Sequence, residues 1–467
     1  MKDSQIRPLF SPISIDVTEK GGDCGKKTGV NIVFLLRLRM GALNQKQDQR
    51  KEGNAMAYGV NVKFPYDLKK KPWEQEIKPF NRWHPEVPMA GRVKPGEVFS
   101  IQIADWTGGQ IGDNDSANDV RDVELEQVHY LAGPFYVEGA EPGDLLVVDI
   151  ADIGMLPGEE GQYGFTGVFA KENGGGFLVD HYPDAKKIIW NYEGIYCKTR
   201  HIQNVRFAGL THPGLIGTLP SAELLATWTK RETELFEGDP ERVPPLCALP
   251  NANKALPGEA TGAVADRIMK DGARTVPGRE HGGNCDIKNL SRGSRVYFPV
   301  YVDGAGLGLG DFHFSQGDGE VSFCGAVETA AWADLKVDII KGGVAKYGII
   351  NPIFKPGPVE PRYSEYLVFE GISVDEFEGK VHYMDAHIAY RRAVLNCIEY
   401  LKTFGYTGEQ AYLLLSCCPC EGRVSGIVDI PHAVCTLALP TEIFDFDIRP
   451  NADGPAKADR GKQADCT

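Results

Sequence analysis

A chain of 467 residues with a formal net charge of −14 lacks the basic face that a nucleic-acid partner would need, while 42% hydrophobic and 24% charged residues suit a globular protein. The 54 glycines and 30 prolines favour many turns and short strands over long helices. Eleven scattered cysteines with no signal sequence before them argue for reduced thiols in a cytoplasm, and the apolar run Val30 to Leu36 is too short for a membrane span.

Residues 1–80 are lysine-rich and irregular, and Asp23 to Val62 shows no clear period. From Asn81 the texture changes to turns and alternating strands: Arg92 to Ile103, then Gly133 to Ile150 around a Pro-Gly turn. Ser221 to Arg231 has a helical start with Ser221 as cap, whereas Pro240 to Thr261 reads as a surface loop. Strands are predicted over Val337 to Ile340 and Tyr347 to Ile350. Met384 to Phe404 is the strongest helix, ended by Gly405, and Gly408 to Cys417 reads as a buried one. The residues from Pro450 onward read as a flexible tail.

The organising stretch is 281–328. It opens on His281-Gly-Gly-Asn284-Cys285-Asp286 and ends with Asp311-Phe-His313-Phe-Ser-Gln316-Gly-Asp318-Gly-Glu320. Between these clusters lie a predicted strand, Arg295 to Val302, and a glycine-rich return, Gly304 to Gly310. Asp311 and His313 are two residues apart and share a face if the segment is extended. Pairing of the two clusters would bring His281 and Asp286 near Asp311 and His313.

Together with the segments 133–150 and 421–431, these motifs resemble the acetamidase/formamidase family, closest to its long formamidase branch of fungal type, over about residues 78–450. The resemblance implies hydrolysis of formamide, and more weakly of other short amides, to a carboxylate and ammonia. It implies a β-rich α+β fold with β-sandwich or barrel-like sheets and a few helices, a homo-oligomer, and a divalent metal, with zinc the expected ion. The family's pattern falls on Asp105, Gln110, Glu138, His281, Asn284, Asp286, Asp311, His313, Gln316, Asp318 and Glu320, among others. In outline, 1–80 is an irregular segment with an insertion at 24–60, 81–450 a catalytic unit of two or three β-rich subdomains, and 451–467 a tail. An acetamidase or lactamase-like enzyme, or a small-amide binding protein, is the alternative.

Amide hydrolysis needs a nucleophile, a polarised carbonyl and a proton for the leaving amine. No G-x-S-x-G elbow lies near the motifs, and Cys417, Cys418 and Cys420 follow an apolar run that suits packing. Metal-activated water remains, with His281, Asp286 and His313 as ligand candidates and Asp311 as a further ligand or an orienting partner. Glu138 and Glu320 are the candidate proton carriers, and Gln110, Asn284 and Gln316 the candidate substrate-binding amides. His129, His181, His201, His382 and His387 read as packing or surface residues, and His212 is set aside with them.

Overall fold

A computed structural model describes residues 60–157, 163–239, 249–358 and 363–467; the expected insertion at 24–60 lies outside them but for its last residue. The strand-rich α+β expectation holds. A six-stranded sheet runs in the order 61–64, 98–103, 331–340, 145–155, 295–299 and 353–355. A larger sheet of eleven strands is centred on Ala305–His313, which pairs with His212–Gly217, Leu131–Val137 and Phe323–Thr329. Alternation along these strands sends Phe99, Ile101 and Ile103 from the smaller sheet, and Phe135, Leu307 and Leu309 from the larger, into one apolar cluster.

The glycine-rich stretch expected as a return is the interior of the central strand. Ala305–His313 is buried throughout, and its glycines make room for neighbours. A Cβ at Gly308 would lie 2.6 Å from the Phe80 ring, and one at Gly310 would lie 2.5 Å from the Tyr130 carbonyl oxygen.

Helices lie where their caps and spacing place them. Ala222–Gly238 starts at Ser221, whose hydroxyl accepts from Leu224 N at 3.1 Å. Ala386–Lys402 starts at Asp385 and buries Ala389, Ala393, Val394, Cys397, Ile398 and Leu401, a stripe at helical spacing. Gly408–Cys417 opens with a capping box between Thr407 and Gln410 and is buried from Gln410 to its end. The last two helices pack with Trp190, Phe207 and Leu437 in a second apolar cluster, which also takes in Cys417, Cys418 and Cys420.

Two expectations are corrected, and one helix was not foreseen. Tyr347–Ile350 is the end of a short helix, Gly343–Tyr347, and the turn beyond it, where the glycine at 348 takes φ +63°. Gly262–Asp271, beyond the expected loop, is a helix that covers Ala265 and Ile268. The last residues run against the body rather than free of it. The Arg460 guanidinium lies 3.7 Å from the centre of the Phe446 ring, and Ala464 bridges to Lys187.

Candidate active site

Strand register assembles the site. His313 faces His212 on one neighbouring strand and Glu328 on the other, so three polar side chains meet on the central strand's end. Past the short strand Gly282–Asn284, Asp286 N donates to Gly214 O at 3.1 Å, which brings its carboxylate to the same place. The turn after the central strand returns Gln316 and Glu320. Gln316 Nε2 donates to Asp286 O at 2.6 Å, and Glu320 Oε1 accepts from Gly325 N at 3.0 Å and Ala326 N at 3.3 Å.

The result is one imidazole among four carboxylates. His313 Nε2 lies 3.2 Å from Glu328 Oε2 and 3.4 Å from Asp311 Oδ1. Asp286, Asp311 and His313 offer ligand atoms within 4.8 Å of one another, as do His313, Glu320 and Glu328. Asp286 Oδ1, His313 Nε2 and Glu328 Oε2 are buried without a hydrogen-bond partner. Asp311, His313 and Glu328 form the floor at 3%, 1% and 2% exposure, while Asp286 and Glu320 are half-buried at the rim.

The hydrogen bonds behind His313 assign its tautomer. His212 Nδ1 donates to Leu210 O at 2.7 Å, and His212 Nε2 lies 2.9 Å from Gln316 Oε1. His313 Nδ1 lies 3.3 Å from that nitrogen and 3.0 Å from Gln316 Oε1, an obligate acceptor, so a proton is on Nδ1. His313 Nε2 therefore turns toward the carboxylates, as a lone pair for a cation or as the seat of a second proton.

Charge balance inside this pocket is unusual. Burial pushes the Glu320 carboxyl up to about 8, opposed by His313 and helped by Glu328 and Asp311. Burial likewise lifts Glu328 to about 7 and raises Asp286 well above the usual carboxylate range. Burial works against both His313 and Asp311, yet attraction wins: Glu328 and then Asp311 hold His313 well above an ordinary imidazole, and His313 and then His129 hold Asp311 below an ordinary carboxyl. Burial drops His212 to about 3. Asp286, Asp311 and Glu320 also hold φ of +46°, +54° and +40°, a backbone region that L-residues rarely adopt.

Of the residues the sequence singled out, Asp286, His313, Gln316 and Glu320 are brought together, and Asp311 joins them. His281 is not among them. The 281–286 segment runs antiparallel to His212–Gly217, so His281 sits by Thr218, whose carbonyl accepts from its Nδ1 at 2.5 Å. At 3.3 Å per residue that is roughly 20 Å along the strand from His212. There it packs against the Trp83 and Trp228 rings.

Glu138 follows Leu131–Val137 at the far end, roughly 30 Å from His313 by strand rise. Gln110 ties a loop to itself, its Oε1 accepting from Glu124 N at 2.9 Å and its Nε2 donating to Thr107 O at 3.1 Å. Asn284 lies two residues from Asp286 with a buried, unpartnered Oδ1. Glu328 and His212 were missed. Neither belongs to a motif, and only the pairing register gives them away.

Gly214 is a sharp test of this packing. A Cβ there would lie 2.5 Å from His313 Cε1, 2.7 Å from Asp286 Oδ1 and 2.9 Å from Asp311 O. We expect Gly214→Ala to lower kcat by 10-fold or more, on the order of 10²-fold as for a misplacement of about 1 Å, with little change in the circular dichroism spectrum. Wild-type kinetics in that variant would mean that the cluster is not the reacting centre.

The model of the acetamidase/formamidase family matches residues 65–446. A formamidase of Methylophilus methylotrophus is 63% identical over 83% of this chain and 95% of its own length. An acetamidase of Mycolicibacterium smegmatis is 57% identical over 77% of this chain and 90% of its own. Among solved structures, a gamma lactamase from Delftia acidovorans superposes with a TM-score of 0.84 at 57% identity, covering 86% of this chain and 98% of that one.

Proposed function

The chain belongs to the acetamidase/formamidase family, and from that premise we propose that it is a formamidase, hydrolysing formamide and more weakly other short amides to a carboxylate and ammonia. The observation that carries the reading is the ring of carboxylates around His313 Nε2, with Asp286 Oδ1 buried and unpartnered and His313 Nε2 and Glu328 Oε2 meeting as an ion pair at 3.2 Å. Four carboxylates facing one imidazole, two of them buried and two half-buried, need positive charge from bound protons or a cation. Two donor atoms each 2.0–2.2 Å from a tetrahedral ion stand roughly 3.3–3.6 Å apart, and His313 Nε2 to Asp311 Oδ1 is 3.4 Å. Asp286, Asp311 and His313 would hold the ion, and zinc is the identity we propose; His281 drops out of the set.

A divalent ion there would supply Lewis-acid polarisation of the amide carbonyl and lower the pKa of water. The protein's own groups do the rest. Asn284 Oδ1 accepts from the amide nitrogen at the rim. Glu320, held by two backbone N–H groups, takes the proton from attacking water and returns it to the departing nitrogen. Gln316 spends both ends on Asp286 and His313, so it positions those two groups rather than the substrate. The burial of Asp311, His313 and Glu328 suits a substrate of few atoms.

Among the described residues no helix is long and apolar enough to cross a membrane. Free cysteines at nine described positions support the cytoplasmic placement. Exposed Val368, Val424, Val428 and Ile430 on and beside the three-stranded sheet support the expected homo-oligomer.

The test is ammonia release from formamide, acetamide and a γ-lactam, before chelation, after it and after zinc is restored. Formamide turnover that vanishes and returns is expected. Turnover untouched by thorough metal removal would sink the metal reading, and no turnover of any amide would leave a small-amide binding protein.

The titrations give a second check. Glu320 and Glu328, ordinarily at 4.5, are raised in the fold, and so is His313, ordinarily at 6.5; all three lose stabilising free energy as pH rises toward their folded values. His212 and His281, each lowered from 6.5 to about 3, act only as pH falls below 6.5. Between pH 6.5 and 8 the metal-free protein should therefore lose stability, on the order of 2 kcal/mol from Glu320 alone. Tm of chelated protein should fall across that window and recover most with metal at pH 8. A flat profile would mean that the carboxylates are not raised.

A further inference from the structure

Two more unpartnered atoms lie on the Trp106 and His129 rings, and His129 reaches the cluster at Asp311. Trp106, 4% exposed, buries its indole Nε1–H without an acceptor. His129, 9% exposed, buries Nδ1 without a partner, while its Nε2 lies 4.0 Å from Asp311 Oδ2. We take the proton on Nε2, toward that carboxylate, which presents the unpartnered Nδ1 as an acceptor. The two rings meet edge to face with centroids 5.4 Å apart, and His129 N donates to Trp106 O at 2.9 Å, which ties their backbones together. His129 takes φ +53°, a further strained position in contact with Asp311. A buried donor and a buried ring nitrogen left bare on two touching rings, one of them beside Asp311, call for a ligand that supplies both complements.

We propose that Trp106 Nε1–H and His129 Nδ1 form the edge that reads the substrate as a primary amide. A primary amide presents its carbonyl oxygen and one N–H on the same edge: the oxygen accepts from Trp106, and the N–H donates to His129. An N-alkyl amide in its usual trans form puts the alkyl group on that edge instead and meets His129 with no hydrogen to give. The pair is thus a specificity device of the site assigned above, and it rests on that reading.

The test compares formamide with N-methylformamide, following formate release by wild type, Trp106→Phe, His129→Asn and His129→Ala. Phe keeps the ring and removes the N–H; Asn tolerates the positive φ and keeps an acceptor. Trp106→Phe should raise KM for formamide about five- to tenfold, the usual effect of one lost hydrogen bond, with a smaller change in kcat. His129→Ala should bring the preference for formamide over N-methylformamide at least fivefold closer to parity, and His129→Asn should restore part of it. A role in packing alone would lower activity on both substrates alike. An unchanged preference in His129→Ala, or an unchanged KM in Trp106→Phe, overturns the proposal while formamide hydrolysis stands. Absence of formamide turnover by the wild type overturns the underlying reading and this proposal with it.

Discussion

Replacing His313 with Gln is expected to lower kcat/KM for formamide by about 10³-fold or more and to strip bound metal from the protein. The imidazole is the central group of the pocket. It is held from behind by His212 and Gln316, and it meets Asp311 and Glu328 in front. Gln reproduces neither the aimed lone pair nor the charge, so the carboxylates lose their common partner. Steady-state ammonia release, metal content by mass spectrometry and circular dichroism would be read together. A folded, metal-loaded variant that keeps a tenth of wild-type activity would falsify the assignment of His313 to the reacting centre.

Glu320→Gln is the second large effect, with kcat expected to fall by 10²- to 10⁴-fold, the range for removing a general acid–base group. The substitution is nearly isosteric. Its amide oxygen can keep accepting from Gly325 N and Ala326 N, so the fold and KM should change little. Because the base form is the active one, wild-type kcat should rise with pH as the carboxyl deprotonates, and the variant's residual rate should lose that limb. A variant that retains both the rate and the rising limb would move the proton-transfer role to Glu328, the other raised carboxyl in the pocket.

Local chemistry wrote much of this protein legibly. Caps and apolar spacing located the helices at 222–238, 386–402 and 408–417. Asp286, His313, Gln316 and Glu320 were legible because glycine-rich turns carry polar groups that solubility alone would not place there. What escaped was register. Glu328 lies in an apolar strand and is marked only by standing opposite His313. His212 looked solitary because its partners lie on the neighbouring strand and the turn after it. His281 was over-read for the converse reason: its motif runs along a strand, so its two ends serve different places. Tyr347–Ile350 has strand-like composition, and the helix before it decided otherwise.

The site also has a kinetic meaning. His212 and His313 are 101 residues apart in sequence, and Gln316 reaches back 30 residues to Asp286. The central strand pairs with three others drawn from both halves of the chain. Loop-closure entropy must be met for each of these non-local pairings before any of them is rewarded, which slows folding and makes it strongly cooperative. Such a site does not ripen piece by piece during synthesis. The chain can hold no partial activity until the Phe323–Thr329 strand has docked, so the first turnover reports that the whole sheet has closed.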